Sequence, residues 1–296
     1  MSMTANTQCL QCFLKRNLEL VRPLGTEQQA MAFAKELMKL YLYAPEGGAP
    51  APWFGPAAED LLLEMYGLPI DRFKEEKEMS NRFVMERLDT IREMVRTAPD
   101  PVYAGLQFSI LGNYLDFSAL QGQVSFEKLE EMLVSALEMN LDRAAYAAFC
   151  RDLAAGKKLL YLTDNAGEIG FDRVFAEEIA RAYPHLEIVF CVRGQITAND
   201  ATREDAAAVG IPFQVIDNGN RVAGTQLELL SEESRQAMDT ADVIIAKGMA
   251  NTETLWGCDY NVYYAFLVKC VRFADVFQKP LMTPMLVPQL EKEGVS

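Results

Sequence analysis

The first half of the chain shows apolar residues at the spacing of an α-helix. From residue 8 to 43 they recur every three or four positions, with one interruption after which Thr26 is suited to cap a second helix. The stretch 44–56 is dense in proline and glycine, so it predicts a loop. Helical spacing then continues, with breaks, to about residue 153. The pattern therefore predicts an all-helical N-terminal section over 1–155.

After Gly156 the pattern changes to short apolar runs that alternate with helical segments. This alternation is typical of right-handed βαβ units and of a mostly parallel sheet covered by helices on both faces. We therefore predict an α/β fold, a three-layer α/β/α sandwich over 156–296, which forms one active-site cleft together with the helical section. The predicted strands cover 158–163, 187–192, 213–216 and 242–246, the predicted helices cover 171–183, 201–209 and 232–238, and the spacing of 260–271 fits either a strand or a helix.

Composition excludes several classes of function. The 296 residues are 50% hydrophobic and 24% charged, which is typical of a globular protein. Lys plus Arg number 28 against 42 Asp plus Glu, and the resulting net charge of -14 disfavours DNA or RNA as a partner. The single histidine, His185, excludes sites that need a histidine pair. No run of about 18 uncharged apolar residues occurs, so we expect a cytoplasmic protein with no membrane contact.

The six cysteines are too sparse for a disulfide scaffold. Cys9 and Cys12 have the spacing of a metal or redox pair. A tetrahedral zinc site needs two further ligands, and no second close pair exists. A redox pair normally follows a strand, and no strand is predicted before these residues. The sequence therefore favours two partly buried thiols on a helix over a metal role.

Polar residues follow the first two predicted strands directly. Asp164 and Asn165 offer two oxygen ligands to a hard cation, and the helix that begins near Glu168 offers free N–H groups to an anion. Adjacent parallel strands would bring Asp200 to the same edge of the sheet. We assume no basic neighbour, so the converging carboxylates repel one another and a divalent cation relieves the repulsion. The structural alternatives are an Asx-turn at Asn165 and helix caps at Glu168 and Asp200.

Other polar residues are candidates for binding an anionic substrate. Lys247 follows the fourth strand and precedes a glycine turn, which suits it to hold a phosphate, although a solvated loop lysine is the structural alternative. Lys269 lies in a very apolar segment and would need an anionic partner. Asn113 and Asp116 are three residues apart on one predicted helical face. They form either a polar patch facing the cleft or a buried hydrogen-bonded pair.

Together these motifs resemble those of the metal-dependent damage-control phosphatases, a family long catalogued as a domain of unknown function. The resemblance rests on DNAGE at 164–168, NDAT at 199–202, and Lys247-Gly248 followed by Asn251 and Glu253. The chain also resembles the CxxC-bearing prokaryotic branch in Cys9 and Cys12, in Gly112-Asn113 with Asp116, and in Lys269-Cys270. It differs from the family at Met249-Ala250, where Gln-Gly is more common.

The resemblance implies a phosphatase that hydrolyses phosphate esters of small metabolites, either sugar phosphates or damaged phosphometabolites. Asp164, Asn165 and Asp200 would be both the catalytic residues and the metal ligands, and Lys247 would bind the substrate phosphate. The metal would be Mg²⁺ or Mn²⁺, and Co²⁺ or Ni²⁺ also suits oxygen ligands. Further candidates to contact the substrate are Asn113, Asp116, Glu168, Arg193, Asn251 and Lys269.

Phosphoryl transfer needs charge neutralisation and in-line positioning more than a special nucleophile. We expect the metal to polarise a phosphoryl oxygen and to activate a water that attacks phosphorus. Asp164 as a covalent nucleophile is less favoured, because no second acid stands two residues later. A non-catalytic sensor of a phosphometabolite or nucleotide stays open. A nucleotide-dependent transferase is disfavoured, because no glycine-rich phosphate loop follows any strand. The pattern does not specify an oligomeric state.

Overall fold

The N-terminal section is helical, as the pattern predicts. The computed structural model describes residues 3–115 and 125–289. Thr26 caps the second helix in a capping box with Gln29, whose backbone N–H lies 3.3 Å from the Thr26 hydroxyl. None of the helices in the two described ranges combines the length and the apolar character needed to cross a membrane. The helices of this section are α1 (Thr7–Val21), α2 (Glu27–Leu42), α3 (Gly55–Tyr66), α4 (Lys74–Arg96), α5 (Pro101–Gly112), α6 (Phe126–Ser135) and α7 (Arg143–Ala155).

The predicted loop over 44–56 is shorter in the structure. A 3-10 turn covers 51–54, and α3 begins at Gly55. Pro56 does not prevent this, because proline is well tolerated in the first turn of a helix. Phe54 is buried and stacks on Tyr41, with ring centroids 3.9 Å apart.

The second section alternates strands and helices. The segment 260–271, which fitted either state, contains a strand and the start of a helix. The eighth helix begins three residues before the predicted start at 171, so Glu168 is its first residue. The elements are β1 (Lys158–Leu162), α8 (Glu168–Ala182), β2 (Glu187–Val192), α9 (Arg203–Ala208), β3 (Gln214–Asp217), α10 (Glu232–Thr240), β4 (Val243–Lys247), α11 (Gly248–Leu255), β5 (Val262–Leu267), α12 (Val271–Phe277) and β6 (Pro284–Pro288).

The sheet has the strand order β3-β2-β1-β4-β5-β6. The pairs among the first five strands of this order are parallel, and β6 runs antiparallel to β5. The order reverses direction between β1 and β4. In doubly wound sheets a crevice forms at this reversal, outside the carboxyl ends of the strands, and ligands bind there.

Both faces of the sheet are buried, which explains the nearly continuous apolar runs. Tyr161 of β1 faces one way and packs in a core with residues of α5, α7, α8 and α9. Leu160 and Leu162 face the other way and pack with residues of α10, α11 and α12. The predicted three-layer sandwich is therefore confirmed.

Close packing of α5 on α8 brings the helical section to the strand ends. A Cβ atom at Gly105 would lie 3.1 Å from the Phe175 Cα, and one at Gly112 would lie 3.2 Å from the Glu168 Cα. Helix α5 ends at Gly112, and Asn113 is its C-cap with helical dihedral angles, so the predicted shared face of Asn113 and Asp116 stays a prediction. Asp116 lies outside the described residues.

Candidate active site

The loops after β1 and β2 are joined next to the crevice. Asp164 and Asn165 follow β1, and both are buried. Asn165 pairs with Asp200 in a short antiparallel bridge, and the backbone N–H of Ala201 donates to the Asp164 carbonyl oxygen at 2.7 Å. The parallel arrangement of the strands thus brings the segments of the three predicted metal ligands together.

The Asp164 carboxylate lies against the first residue of α11. Gly248 has a φ of +77°, and a Cβ atom there would lie 1.9 Å from the Asp164 Oδ2. The same oxygen accepts hydrogen bonds from the side-chain amides of Asn165 at 2.9 Å and of Asn113 at 3.0 Å. A glycine is therefore required at 248 for this carboxylate position.

Glu168 is the fully buried neighbour of this carboxylate. Its Oε2 accepts from the amides of Asn165 at 2.8 Å and of Asn113 at 2.9 Å, so the two amides share their protons between Glu168 and Asp164. The backbone N–H of Asn165 also donates to this oxygen at 3.3 Å. The N-cap of α8 is Gly167, so the structural alternative of a helix cap at Glu168 is wrong. Glu168 is the first helical residue, where its charge favours the helix start, and it belongs to the polar cluster.

Lys247 is completely buried behind Glu168. Its Nζ donates to the Glu168 Oε1 at 2.8 Å, to the Asp172 Oδ1 at 2.7 Å and to the Ser109 carbonyl oxygen at 2.8 Å. Burial opposes the charge on Lys247, but the two carboxylates outweigh it and raise the lysine pKa. The alternative of a solvated loop lysine is therefore wrong, whereas phosphate binding by Lys247 stays a prediction.

Asp172 is a buried member of the cluster that the sequence reasoning did not select. The hydroxyls of Ser109 and Tyr161 donate to its Oδ1 at 2.7 and 2.8 Å. Burial raises the Asp172 pKa to about 6, although the Lys247 charge opposes the rise. The sequence could have indicated Asp172, because it lies four residues after Glu168 and therefore on the same face of α8.

Asp200 has a basic partner, which corrects the assumption that no basic residue is near. The Arg193 Nε donates to the Asp200 Oδ2 at 2.6 Å, and both side chains are almost completely buried. The Arg193 Nη2 reaches the Thr163 carbonyl oxygen at 3.3 Å. Arg193 directly follows β2, which ends at Val192, and the chain turns back to Asp200 within seven residues. The spacing along the sequence therefore did not reveal the pair. Contact of Arg193 with substrate stays a prediction.

The two remaining described candidates lie around this cluster. Asn251 is buried in α11 and donates to the carbonyl oxygens of Thr163 at 3.0 Å and of Lys247 at 2.7 Å, so it joins α11 to the end of β1. Lys269 lies in the loop after β5, where its backbone N–H contacts the Met249 sulfur at 3.4 Å and the residue is partly exposed. Lys269 is therefore not fully buried, and its contact with an anionic partner or with substrate stays a prediction.

Asn199 is a second residue that the sequence reasoning did not select. Its amide nitrogen donates to the Asn165 Oδ1 at 2.9 Å and to the Leu115 carbonyl oxygen at 3.1 Å. Its buried Oδ1 has no hydrogen-bond partner in the described part of the chain. The sequence could have indicated Asn199, because this residue directly precedes Asp200.

The donor set fits a hard cation. In the described ranges, the connected buried cluster contains four carboxylates, those of Asp164, Glu168, Asp172 and Asp200, but only two cationic side chains, those of Lys247 and Arg193. A divalent cation would offset this excess of negative charge. Within 3–115 and 125–289 there is no group of three or more His, Cys, Asp or Glu side chains that could hold a metal ion by itself. A cation would therefore also rely on amide oxygens, which hard metals accept.

The chain matches the damage-control phosphatase ARMT1-like domain over residues 5–283. It belongs to this family. It is 32% identical to an uncharacterized protein of Methanocaldococcus jannaschii over 285 residues, which cover 93% of this chain and 92% of that one. It is 29% identical to a damage-control phosphatase of Pyrococcus horikoshii, covering 94% and 96%. A damage-control phosphatase of Archaeoglobus fulgidus is 35% identical over 188 residues, covering 62% and 64%.

The fold of this damage-control phosphatase family member is also found in a solved structure. A crystal structure of a DUF89 family protein from Pyrococcus horikoshii superposes with a TM-score of 0.79 at 26% identity and covers 97% of this chain and 100% of that one. Membership of this family confirms the resemblance found in the sequence. It also supports phosphatase activity, which is a hydrolase activity. Assignment to the CxxC-bearing branch stays a prediction.

Proposed function

We propose that this chain hydrolyses phosphate esters of small metabolites, sugar phosphates or damaged phosphometabolites, and that it requires a divalent cation. One observation carries the proposal: Asp164, Asn165 and the bridged segment of Asp200 lie beside the point where the strand order reverses, in a member of a phosphatase family. Relatives from Archaeoglobus fulgidus and Pyrococcus horikoshii are named damage-control phosphatases.

Asp164, Asn165 and Asp200 are the proposed ligands of the cation, Mg²⁺ or Mn²⁺, with Co²⁺ and Ni²⁺ as further metals that suit oxygen ligands. When bound, such a cation supplies a Lewis acid that neutralises phosphoryl charge and favours attack by water. The residues around the ligands keep them in place before substrate arrives. Gly248 leaves room for the Asp164 carboxylate, and Arg193 holds Asp200 through a buried hydrogen bond of 2.6 Å. Such preorganisation avoids a cost of reorientation during the reaction.

The hydrogen bonds of Asp164 favour the role of ligand over that of covalent nucleophile. Its Oδ2 accepts from two amides, those of Asn113 and Asn165, which stabilise the carboxylate charge and reduce its nucleophilicity. Trapping an acid-stable phosphoenzyme on Asp164 would contradict this assignment.

Lys247 adds positive charge to the crevice, and we place the substrate phosphate on the side of the crevice that Lys247 faces. Its ammonium already has three acceptors, so direct contact requires a phosphoryl oxygen to replace one of them. Glu168 is the acceptor nearest the metal ligands, because it shares the amides of Asn113 and Asn165 with Asp164. We therefore expect Glu168 to reorient when substrate binds.

A phosphatase assay with p-nitrophenyl phosphate and a phosphometabolite library, repeated with each metal and with chelator, tests the proposal. Asp164→Asn and Asp200→Asn should each reduce kcat about a hundredfold or more, because they remove charge from the proposed ligands. Asp89→Asn is the matched control, since the Asp89 side chain is 99% exposed. It should retain full activity.

Two outcomes would contradict the proposal. Activity equal to the chelator control with every substrate and metal would refute metal-dependent hydrolysis. Tight binding of a phosphometabolite or nucleotide without turnover would indicate a sensor instead.

A further inference from the structure

A second group of reactive side chains lies where the N-terminal part of α1 meets the start of α12, and it includes none of the proposed metal ligands. Cys9 is the third residue of α1, Cys12 follows one turn later, and Cys270 immediately precedes α12. Arg272 of α12 donates from Nη1 to the Cys9 sulfur at 3.2 Å and from Nη2 to the Thr4 carbonyl oxygen at 2.6 Å. Three of the six cysteines thus lie on or next to the two helices that this arginine joins.

These three thiols differ in their surroundings. Cys12 is exposed and Cys9 is partly buried. Burial raises the pKa of the Cys270 thiol to about 11. Cys270 is therefore protonated near neutral pH. The guanidinium of Arg272 donates to the Cys9 sulfur and so places a positive charge beside this thiol.

The arginine also argues against a cation among these thiols. Its Nη1 lies 3.2 Å from the Cys9 sulfur and 3.6 Å from the Glu253 Oε1, so the guanidinium bridges the thiol and the carboxylate. The Arg272 side chain is only 7% exposed, and its charge would repel a metal ion. Thiol chemistry suits this arrangement better than metal binding.

We propose that Cys9 and Cys12 form a reversible dithiol–disulfide couple in which Cys9 reacts first. The Cys9 thiolate attacks one sulfur of a low-molecular-weight disulfide, so that a mixed disulfide forms and one thiolate leaves. The Cys12 sulfur then attacks Cys9 and gives up its proton, and the second small thiolate leaves and is protonated. Two protein thiols are oxidised to one disulfide, and the small disulfide is reduced to two thiols.

The helical spacing of Cys9 and Cys12 strains this bond and makes it easy to reduce. Residues three apart on a helix have Cβ atoms about 5–6 Å apart, whereas a disulfide needs about 3.5–4.5 Å. The turn must therefore tighten, and it lies at a helix end, where the Cys9 backbone N–H is held by the Asn6 side chain at 3.1 Å. A disulfide under such strain has a more oxidising potential, which favours reversal.

The test treats the reduced full-length chain with oxidised glutathione at pH 7, blocks the remaining thiols, and sequences the tryptic peptide 1–15 by mass spectrometry. We expect an intramolecular Cys9–Cys12 disulfide that reduced glutathione reverses. In Cys12→Ser, glutathione should accumulate on Cys9. That adduct should form faster than the adduct on Cys12 in Cys9→Ser, although Cys12 is the more exposed thiol.

Arg272→Met tests the role of the guanidinium and should slow the reaction of Cys9 about tenfold. Arg181→Met is the matched control, because Arg181 pairs with Glu178 on α8, and it should leave the rate unchanged. If Arg272→Met does not fold, the comparison of Cys9→Ser with Cys12→Ser still tests whether Cys9 reacts first. A disulfide that includes Cys270, a Cys9 rate equal to or below that of Cys12, or no disulfide at all would overturn the proposal.

Discussion

Gly248 determines where the Asp164 carboxylate can lie. A methyl group there would overlap the Asp164 Oδ2, since the added Cβ would be 1.9 Å away. We predict that Gly248→Ala displaces the carboxylate and lowers kcat about a hundredfold, the effect of a misplacement of about 1 Å in an active site. Steady-state phosphatase kinetics measure the loss.

Gly257→Ala separates this effect from backbone strain. Gly257 also has a positive φ, +87°, but no atom lies within 4 Å of an added Cβ. Both variants should lose some stability in urea, whereas only Gly248→Ala should lose activity. Equal kcat values in the two variants would contradict the placement of Asp164.

Asp172 makes stability depend on pH. Its pKa is raised from 3.8 to about 6, because burial disfavours its charge. Between these values the folded chain binds more protons at this residue than the unfolded chain, so this contribution to stability is present at low pH and is lost as pH rises through about 6. Asp172→Asn lacks the titration, so we predict that its stability relative to the wild type increases from pH 4 to pH 7. Urea unfolding at several pH values measures the difference, and a constant difference would contradict the shift.

At the scale of elements, the contact of α5 with α8 determines whether Asn113 reaches the strand ends. Gly105 lies in this contact, and a Cβ there would be 3.1 Å from the Phe175 Cα, a backbone atom of α8. Overpacking costs about 1–3 kcal/mol, against a gain of about 1 kcal/mol for alanine over glycine in a helix. We predict that Gly105→Ala lowers the free energy of unfolding.

Gly55→Ala is the matched control for the helix contact. Gly55 is the first residue of α3, and no atom lies within 4 Å of a Cβ added there. Denaturant unfolding should therefore show little change or a slight gain for Gly55→Ala. Equal stabilities for the two variants would contradict the tight contact of α5 with α8.

At the scale of the whole molecule, the net charge of -14 has a local counterpart in the buried carboxylate cluster. Mn²⁺ or Mg²⁺ should raise the Tm of the wild type, because binding to the folded state alone stabilises it. The rise should be much smaller in Asp200→Asn and unchanged in Asp89→Asn, as thermal unfolding with metal and with chelator would show. An equal rise in all three proteins would indicate that the metal binds elsewhere.

The alternation of apolar runs and helical segments was enough to predict the sandwich, because a sheet buried on both faces needs apolar strands separated by covering helices. The location of Asp164 could also be predicted from the sequence, since a polar residue after a parallel strand lies at the ligand-binding edge of the sheet. Asp172 and Ser109 were not predicted, because they meet only where α8 packs on α5. Their interaction joins residues 63 positions apart.

The sequence by itself determined the layers, the order of helices and strands, and the edge of the sheet at which the polar candidate residues lie, since these follow from periodicity along neighbouring residues. Only the tertiary structure decided which charges are paired. It buried Lys247 between Glu168 and Asp172, and it paired Arg193 with Asp200. It also placed Arg272 on Cys9, 263 positions away. Such pairs depend on distance in space, because burial makes an unpaired charge costly wherever its partner stands in the chain.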